Sequence, residues 1–422
     1  MIKFNFDINK SKNFFFLDVL VYLSIFSLLA GPALLNFSTI LLVIIFFFYS
    51  LKKKLFFKFL IKYLYWILGL LLFFSINIYY SNLPQESMQR FFSIVRFIFL
   101  AICLIYLLKN FDNFEKNLSK CITFVLISIM ISMVYQYYNG SIFGVTPFTN
   151  HGFGLSGFFK DEYISGSVIS KLFFFSLPFI NTFKKNQIFT LLYLLIGSGF
   201  VLLANQRTPI VMMISGLFLY ICLTNIYSRK LKILIMFFLL IIGSLTIKYH
   251  DGIYQKVIVK TAIQFSTKSD ETVIDSFKNT QWGAHFLTAI MISQDNKFFG
   301  SGLKMFRYVC SDIKYNKIDS KKKDFRCSTH PHNIYLELAA ELGLIIMLIC
   351  VVLLFYILIK FFVSIKLRNK NSIEYFTAFF ILYWPLQITG SFFSSFNGFF
   401  YFFGIAIIIF NITKNEFNEK FN

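Results

Sequence analysis

Apolar runs long enough to cross a bilayer recur along the chain, separated by polar breaks. They fall near 14–32, 34–50, 60–80, 88–108, 120–138, 162–182, 187–204, 208–225, 231–248, 333–360, 373–391 and 397–413. The pattern predicts an all-α integral membrane protein of about twelve transmembrane helices. It divides the chain into nine spans over 1–248, one large polar loop over 249–332, and three spans over 333–413.

Basic residues sort to one side of these spans. They are Lys3, Lys10 and Lys12; Lys52, Lys53, Lys54, Lys58 and Lys62; Lys109, Lys116 and Lys120; Lys184 and Lys185; Arg229, Lys230 and Lys232; Lys360, Lys366, Arg368 and Lys370; and Lys414 and Lys420. The opposite short loops hold only Arg90, Lys160 and Arg207. By the positive-inside rule both termini are expected in the cytoplasm. The basic start followed by a long span reads as an uncleaved first helix.

The outer side then carries a Gly- and Phe-rich loop at 139–161, the turn Asn205-Gln206-Arg207-Thr208-Pro209, and the long loop. Loops of that length are functional or disordered. Val273, Ile274, Phe277, Trp282, Phe286, Ala289 and Ile290 fall near helical spacing and predict an amphipathic helix against the membrane or the bundle. Phe299-Gly300-Ser301-Gly302 predicts a turn, and Ser311 to Lys323 reads as a polar, basic, mobile stretch.

Composition agrees: 57% of residues are apolar and only 14% charged, against about a quarter in soluble domains. The net charge of +21 does not signal nucleic acid, because the positive residues follow topology rather than one surface. Cys310 and Cys327 share the long loop and are the candidate disulfide; both remaining free thiols is the alternative. Cys103, Cys121, Cys222 and Cys350 sit in or beside spans and read as packing thiols.

Candidate chemistry gathers on the outer side. His330, His332 and Asn333 enter the tenth span, followed by Glu337 and Glu341 on an i, i+4, i+8 stripe with Asn333. One reading makes an imidazole the general base that deprotonates a sugar hydroxyl, with Asn333 capping the helix or orienting the reactants. The other is a Pro turn with an Asn cap and histidines at headgroup level. Ionisable groups inside a span are functional by default, so Glu341, Arg96 and Lys171 are candidates; the structural alternative pairs the Glu with Lys171 or Arg96. Arg207 can fork onto phosphate oxygens or merely snorkel. Asp161 and Glu162 suit the dipole of the helix that follows them. His285, beside Trp282 in the amphipathic helix, could face the same site; the structural reading is the favoured one. With five His and no Cys/His/Asp spacing of a known kind, no metal site is expected.

His332-Asn333, nine residues, then Gly343 resembles the signature of the O-antigen ligases and the related O-antigen polymerases. Gly154-Leu155-Ser156-Gly157-Phe158, Asn205-Gln206-Arg207-Thr208 and Asn296-Lys297-Phe298-Phe299-Gly300-Ser301-Gly302-Leu303 are similar to family segments, so the likeness covers roughly 150–345. It implies metal-independent, cofactor-free, inverting glycosyl transfer at the periplasmic face of a bacterial inner membrane. The donor would be a glycan on undecaprenyl pyrophosphate and the acceptor lipid A–core, or a growing glycan in the polymerases. His332 would be the base and Arg207 the pyrophosphate ligand, with Arg96, Lys171 and Lys278 as further candidates for the diphosphate. Ile346 stands where the family often has a second Gly, and Asn279-Thr280-Gln281 precede Trp282 where it often has an Arg. Lys278, His285 or Arg307 could replace that cation. The reading from another class is a polysaccharide flippase or transporter; transporters commonly show paired halves, and no internal repeat is visible here.

Overall fold

The computed structural model describes residues 15–111, 113–144, 146, 154–160, 162–183, 187–265, 272–366, 371–385 and 390–418. Lys3, Lys10, Lys12, Asp161, Lys184, Lys185, Arg368, Lys370, Lys420 and much of the 139–161 loop lie outside the described residues.

Among the described residues nine α-helices precede the long polar segment: α1 Phe15–Ala30, α2 Pro32–Lys52, α3 Leu55–Tyr79, α4 Pro84–Asn110, α5 Phe114–Asn139, α6 Ser165–Ile180, α7 Gln187–Leu203, α8 Arg207–Leu223 and α9 Arg229–Tyr249. The segment itself folds as α10 Asp251–Ile253, a π-helical stretch Tyr254–Val259, α11 Lys260–Phe265, α12 Val273–Lys278, α13 Gln281–Asp295 and α14 Phe306–Val309. Then come α15 Ile334–Leu342, α16 Leu344–Lys366, α17 Ser372–Tyr383 and α18 Ser395–Asn418. Among the described residues, six helices are long and apolar enough to cross a membrane: α2, α4, α5, α9, and most of α16 and α18. Six shorter apolar helices, within α1, α3, α6, α7, α8 and α17, coincide with the remaining apolar runs of the sequence.

α6 is the axis of the bundle and packs on α5, α7, α8 and α17. Phe173, Phe174 and Phe175 are buried along it. The Phe173 ring fits against Gly197 of α7, where a Cβ would come within 2.1 Å of it. Small residues permit such close helix approach where lipid supplies no hydrophobic driving force between helices. α9 and α16 instead lie at the periphery and expose Leu234, Phe237 and Phe238, and Leu348, Val352 and Phe355. Helices apolar on every face suit lipid on one side and protein on the other.

Three expectations change. The tenth span is not one helix: it breaks at Gly343, whose φ of 90° and ψ of 162° belong to a region essentially reserved for glycine. The short α15 then packs on α13. The single amphipathic helix is two, α12 and α13. Thr280 opens α13 by accepting the Gly283 N–H at 3.0 Å, and Phe277 folds back on Phe286, with ring centroids 5.4 Å apart. Val273 and Ile274 are exposed, and the buried face of α13 is Ala284, His285, Thr288, Ala289 and Ile292. Finally, the 311–323 stretch is pinned. Tyr315 is fully buried, its hydroxyl donates to Asp295 at 3.1 Å, and Lys314 pairs with Asp295 at 3.0 Å. Cys310 and Cys327 are joined in a disulfide. Met305, Phe306, Val309, Cys310 and Tyr315 form a second small core with Ala289, Ile292 and Ala340.

Candidate active site

The turn before α15 is built by local chemistry. Asn333 Oδ1 accepts the N–H groups of Tyr335 and Leu336 at 3.0 and 3.2 Å, and its Nδ2 donates to the Pro385 carbonyl at 2.7 Å. The cap therefore ties α15 to the end of α17. Just before it, His332 takes a left-handed backbone, φ 62°, which costs a non-glycine residue about 1 kcal/mol or more. The surroundings hold it there. The indole of Trp282 meets the imidazole edge to face at 4.7 Å, His285 stacks on it at 5.2 Å, and the His330 ring lies 4.0 Å away. Ser328 Oγ lies 3.0 Å from His332 Nε2, and Thr329 Oγ1 lies 2.8 Å from His330 Nδ1. Burial pushes the His285 imidazole below its ordinary range, partly offset by the backbone of Phe325 and Cys327, so a neutral ring backs His332.

His332 and Trp282 open onto a cavity of about 510 Å³ that is also lined by Arg207, Lys171, Lys256, Gln206, Gln264, Tyr163 and Ser167. The Arg207 guanidinium is fixed from two sides. Its Nε donates to the Lys256 carbonyl at 2.9 Å, and Nη1 donates to Gln264 Oε1. Among the described residues Nη2 has no protein acceptor and is not sealed from the cavity. Lys171, buried on α6, donates to Asn397 Oδ1 at 2.7 Å and lies 5.4 Å from the Phe400 ring centroid. It does not pair with Glu337 or Glu341. Lys256 is pushed down to about 8 by burial, then by the charges of Arg207 and Lys260. Three cations face one apolar-walled space, an arrangement whose chemistry suits a multiply charged anion.

The other candidates lie elsewhere. Glu341 is fully buried and accepts the backbone N–H groups of Lys304 and Phe306 at 2.5 and 3.2 Å. Glu337 likewise accepts from Ser391 Oγ at 2.5 Å and Phe392 N–H at 2.7 Å. Both carboxylates anchor chain turns rather than face the cavity. Lys278 pairs with Asp275 at 3.4 Å and Asp319 at 3.7 Å. Arg96 lies over Phe97 at 4.5 Å with Nε and Nη2 buried and unbonded. His330 touches His332 but does not line the cavity. Arg307 braces the turn through the Thr329 carbonyl at 3.4 Å.

Lys256 and Gln264 did not emerge from the sequence. Their one signal is that Lys256, Lys260 and Gln264 recur at i, i+4, i+8 just beyond α9. Gln206, next to Arg207, was read only as part of a turn and of a family-like segment. Its Nε2 donates to the Tyr163 carbonyl, its Oε1 accepts Ser167 N–H at 3.1 Å, and so it clamps the start of α6 beside Arg207.

The stretches singled out in the sequence dock in pairs on the elements that carry the site. Leu155 N–H donates to the Leu203 carbonyl at 3.1 Å, which seats 154–158 on the turn carrying Arg207. Ser301, Gly302 and Leu344 bridge the 296–303 turn to the end of α15, at 2.9, 3.1 and 2.8 Å. A Cβ on Gly343 would lie 2.4 Å from the Phe298 carbonyl oxygen, so only a glycine lets the two stretches meet. Residues 192–351 match the O-antigen ligase family. No curated protein matches the chain.

Proposed function

We propose, from the match of residues 192–351 to the O-antigen ligase family and from the apolar helices, that this is a bacterial multi-pass membrane glycosyltransferase of the ligase and polymerase group. The chain moves a glycan from undecaprenyl pyrophosphate to lipid A–core at the periplasmic face of the inner membrane. The observation that carries this reading is that His332 and Arg207 line one cavity.

In this mechanism the acceptor alcohol binds where Ser328 Oγ now contacts His332 Nε2. His332 takes the hydroxyl proton as the oxygen attacks the anomeric carbon from the face opposite the leaving group. The bond from that carbon to the diphosphate breaks, the sugar inverts, and the electron pair leaves with the diphosphate. Arg207, Lys171 and Lys256 meet that charge where it grows, which is commonly a large share of catalysis. The fixed guanidinium needs no reorganisation during the step. Asn333 and Trp282 are positioning residues: one sets the turn, the other the plane of the ring. Glu341, carried by backbone N–H groups, holds the 302–306 turn rather than moving a proton.

A transfer assay with purified protein, offering lipid A–core and a lipid-linked repeat side by side, tests the reading. Lipid A–core is expected to receive the glycan. Extension of the lipid-linked repeat alone would make the chain a polymerase, and transfer to neither would overturn the proposal.

A further inference from the structure

A second group of cations lies outside the cavity. Leu303 N–H donates to Ser87 Oγ at 2.9 Å, which seats Lys304 beside the first turns of α4. Arg90 follows Ser87 by three residues and so shares its helix face. Lys304 itself has a left-handed backbone, φ 61°, and its N–H is held by Glu341. Three residues on, Arg307 reaches the Thr329 carbonyl, immediately before His330. Arg90, Lys304 and Arg307 thus stand near one another, with Arg307 touching the segment that leads into the histidine turn, and none of them lines the cavity that holds Arg207.

Only buried carboxylates at a distance offset them among the described residues. Among the described residues no ion pair involves Arg90, Lys304 or Arg307. Glu86, one turn before Arg90, forms none. Glu337 and Glu341 lie behind the group, with their oxygens engaged by Ser391, Phe392, Lys304 and Phe306. Arg307 Nε is buried without an acceptor. Lys304 is pushed down to about 8 by burial, then by Arg90 and Arg307, with Glu337 and Glu341 pulling the other way. Like charges gathered in a half-buried site repel one another unless an anion joins them.

We propose that Arg90, Lys304 and Arg307 bind a phosphate group of the acceptor lipid, outside the cavity that takes the donor's diphosphate. This rests on the transferase reading above. It gives each substrate its own anion site, one inside the cavity that His332 lines and one outside it. The chemistry suits either a phosphorylated lipid A–core or the diphosphate of a second lipid-linked glycan.

The test measures acceptor and donor KM separately for wild type, Lys304→Gln, Arg90→Gln and Lys304→Arg. Acceptors are lipid A–core with its phosphates, the same lipid after phosphate removal, and a lipid-linked repeat. Acceptor KM should rise at least tenfold in both Gln variants with donor KM unchanged, and Lys304→Arg should recover most of the loss. Phosphate removal should cost wild type a similar factor and the Gln variants little more. A larger penalty with the lipid-linked repeat assigns the site to that diphosphate instead. If Lys304→Gln does not fold, Arg90→Gln on the rim of α4 decides. Unchanged acceptor KM, a shift in donor KM instead, or indifference of wild type to acceptor phosphate overturns the proposal. Should wild type transfer to neither acceptor, direct binding of phosphorylated against dephosphorylated lipid A–core still reads this site. Equal binding then overturns it independently of the transferase reading.

Discussion

Arg207 Nε donates to the Lys256 carbonyl at 2.9 Å, which locks the start of α8 to the π-helical stretch of the polar segment and turns both cations into one cavity. π-helical turns are rare and concentrate at functional sites. Here the turn gives a carbonyl to Arg207 while its own ammonium lines the same space.

Lys256 should give donor binding an alkaline limit. Its charge is disfavoured by burial and by Arg207, so the ammonium is present below about 8 and lost above it. Donor KM should therefore rise as pH passes that value. Lys256→Arg, charged throughout, should flatten the limb, and Lys256→Gln should show raised KM at every pH. A pH profile of donor KM for the three proteins checks this; an identical alkaline limb in Lys256→Arg would remove Lys256 from the site.

Arg207→Ala should lower the transfer rate by roughly 10²–10³-fold, the usual loss when a donor to developing charge is removed. Arg207→Lys should recover part of it, since a point charge remains but the two-pronged geometry does not. Single-turnover rates at saturating donor separate the two. Equal loss in both variants would mean that geometry is everything, and no loss in either would place the diphosphate elsewhere.

How much of this was legible in the sequence depends on the range of the interaction. The Asn333 cap could be read because capping joins residues two and three apart. Apolar runs marked the helices, but hydropathy is blind to a single-residue break, so Gly343 stood out only as part of the family-like signature and not as the end of a helix. The polar stripe of Asn333, Glu337 and Glu341 was visible, yet its partners come from Ser391, Phe392, Lys304 and Phe306, which no local pattern announces. Lys256 stayed hidden for the same reason: its role comes from Arg207, 49 positions away. Lys278 looked close to Trp282 along the chain, but the break at Asn279–Thr280 leaves it with Asp275 and Asp319.

Gly343→Ala should destabilise the site as a unit. The new Cβ meets the Phe298 carbonyl in a backbone region that costs other residues about 1–3 kcal/mol. A lower melting temperature of the purified protein, with transfer lost in proportion to unfolded protein, is the expected result. Gly199→Ala is the control, because nothing lies within 4 Å of its Cβ position. Equal melting of both variants would show that the docking of 296–303 on α15 does not matter.

The most direct measurement is single-turnover glycan transfer by purified His332→Ala, with donor affinity measured in the same sample. The rate should fall by roughly 10²–10⁴-fold, the range a positioned general base supplies, with donor affinity and melting temperature unchanged. Transfer at the wild-type rate would contradict the assignment of His332 as the base.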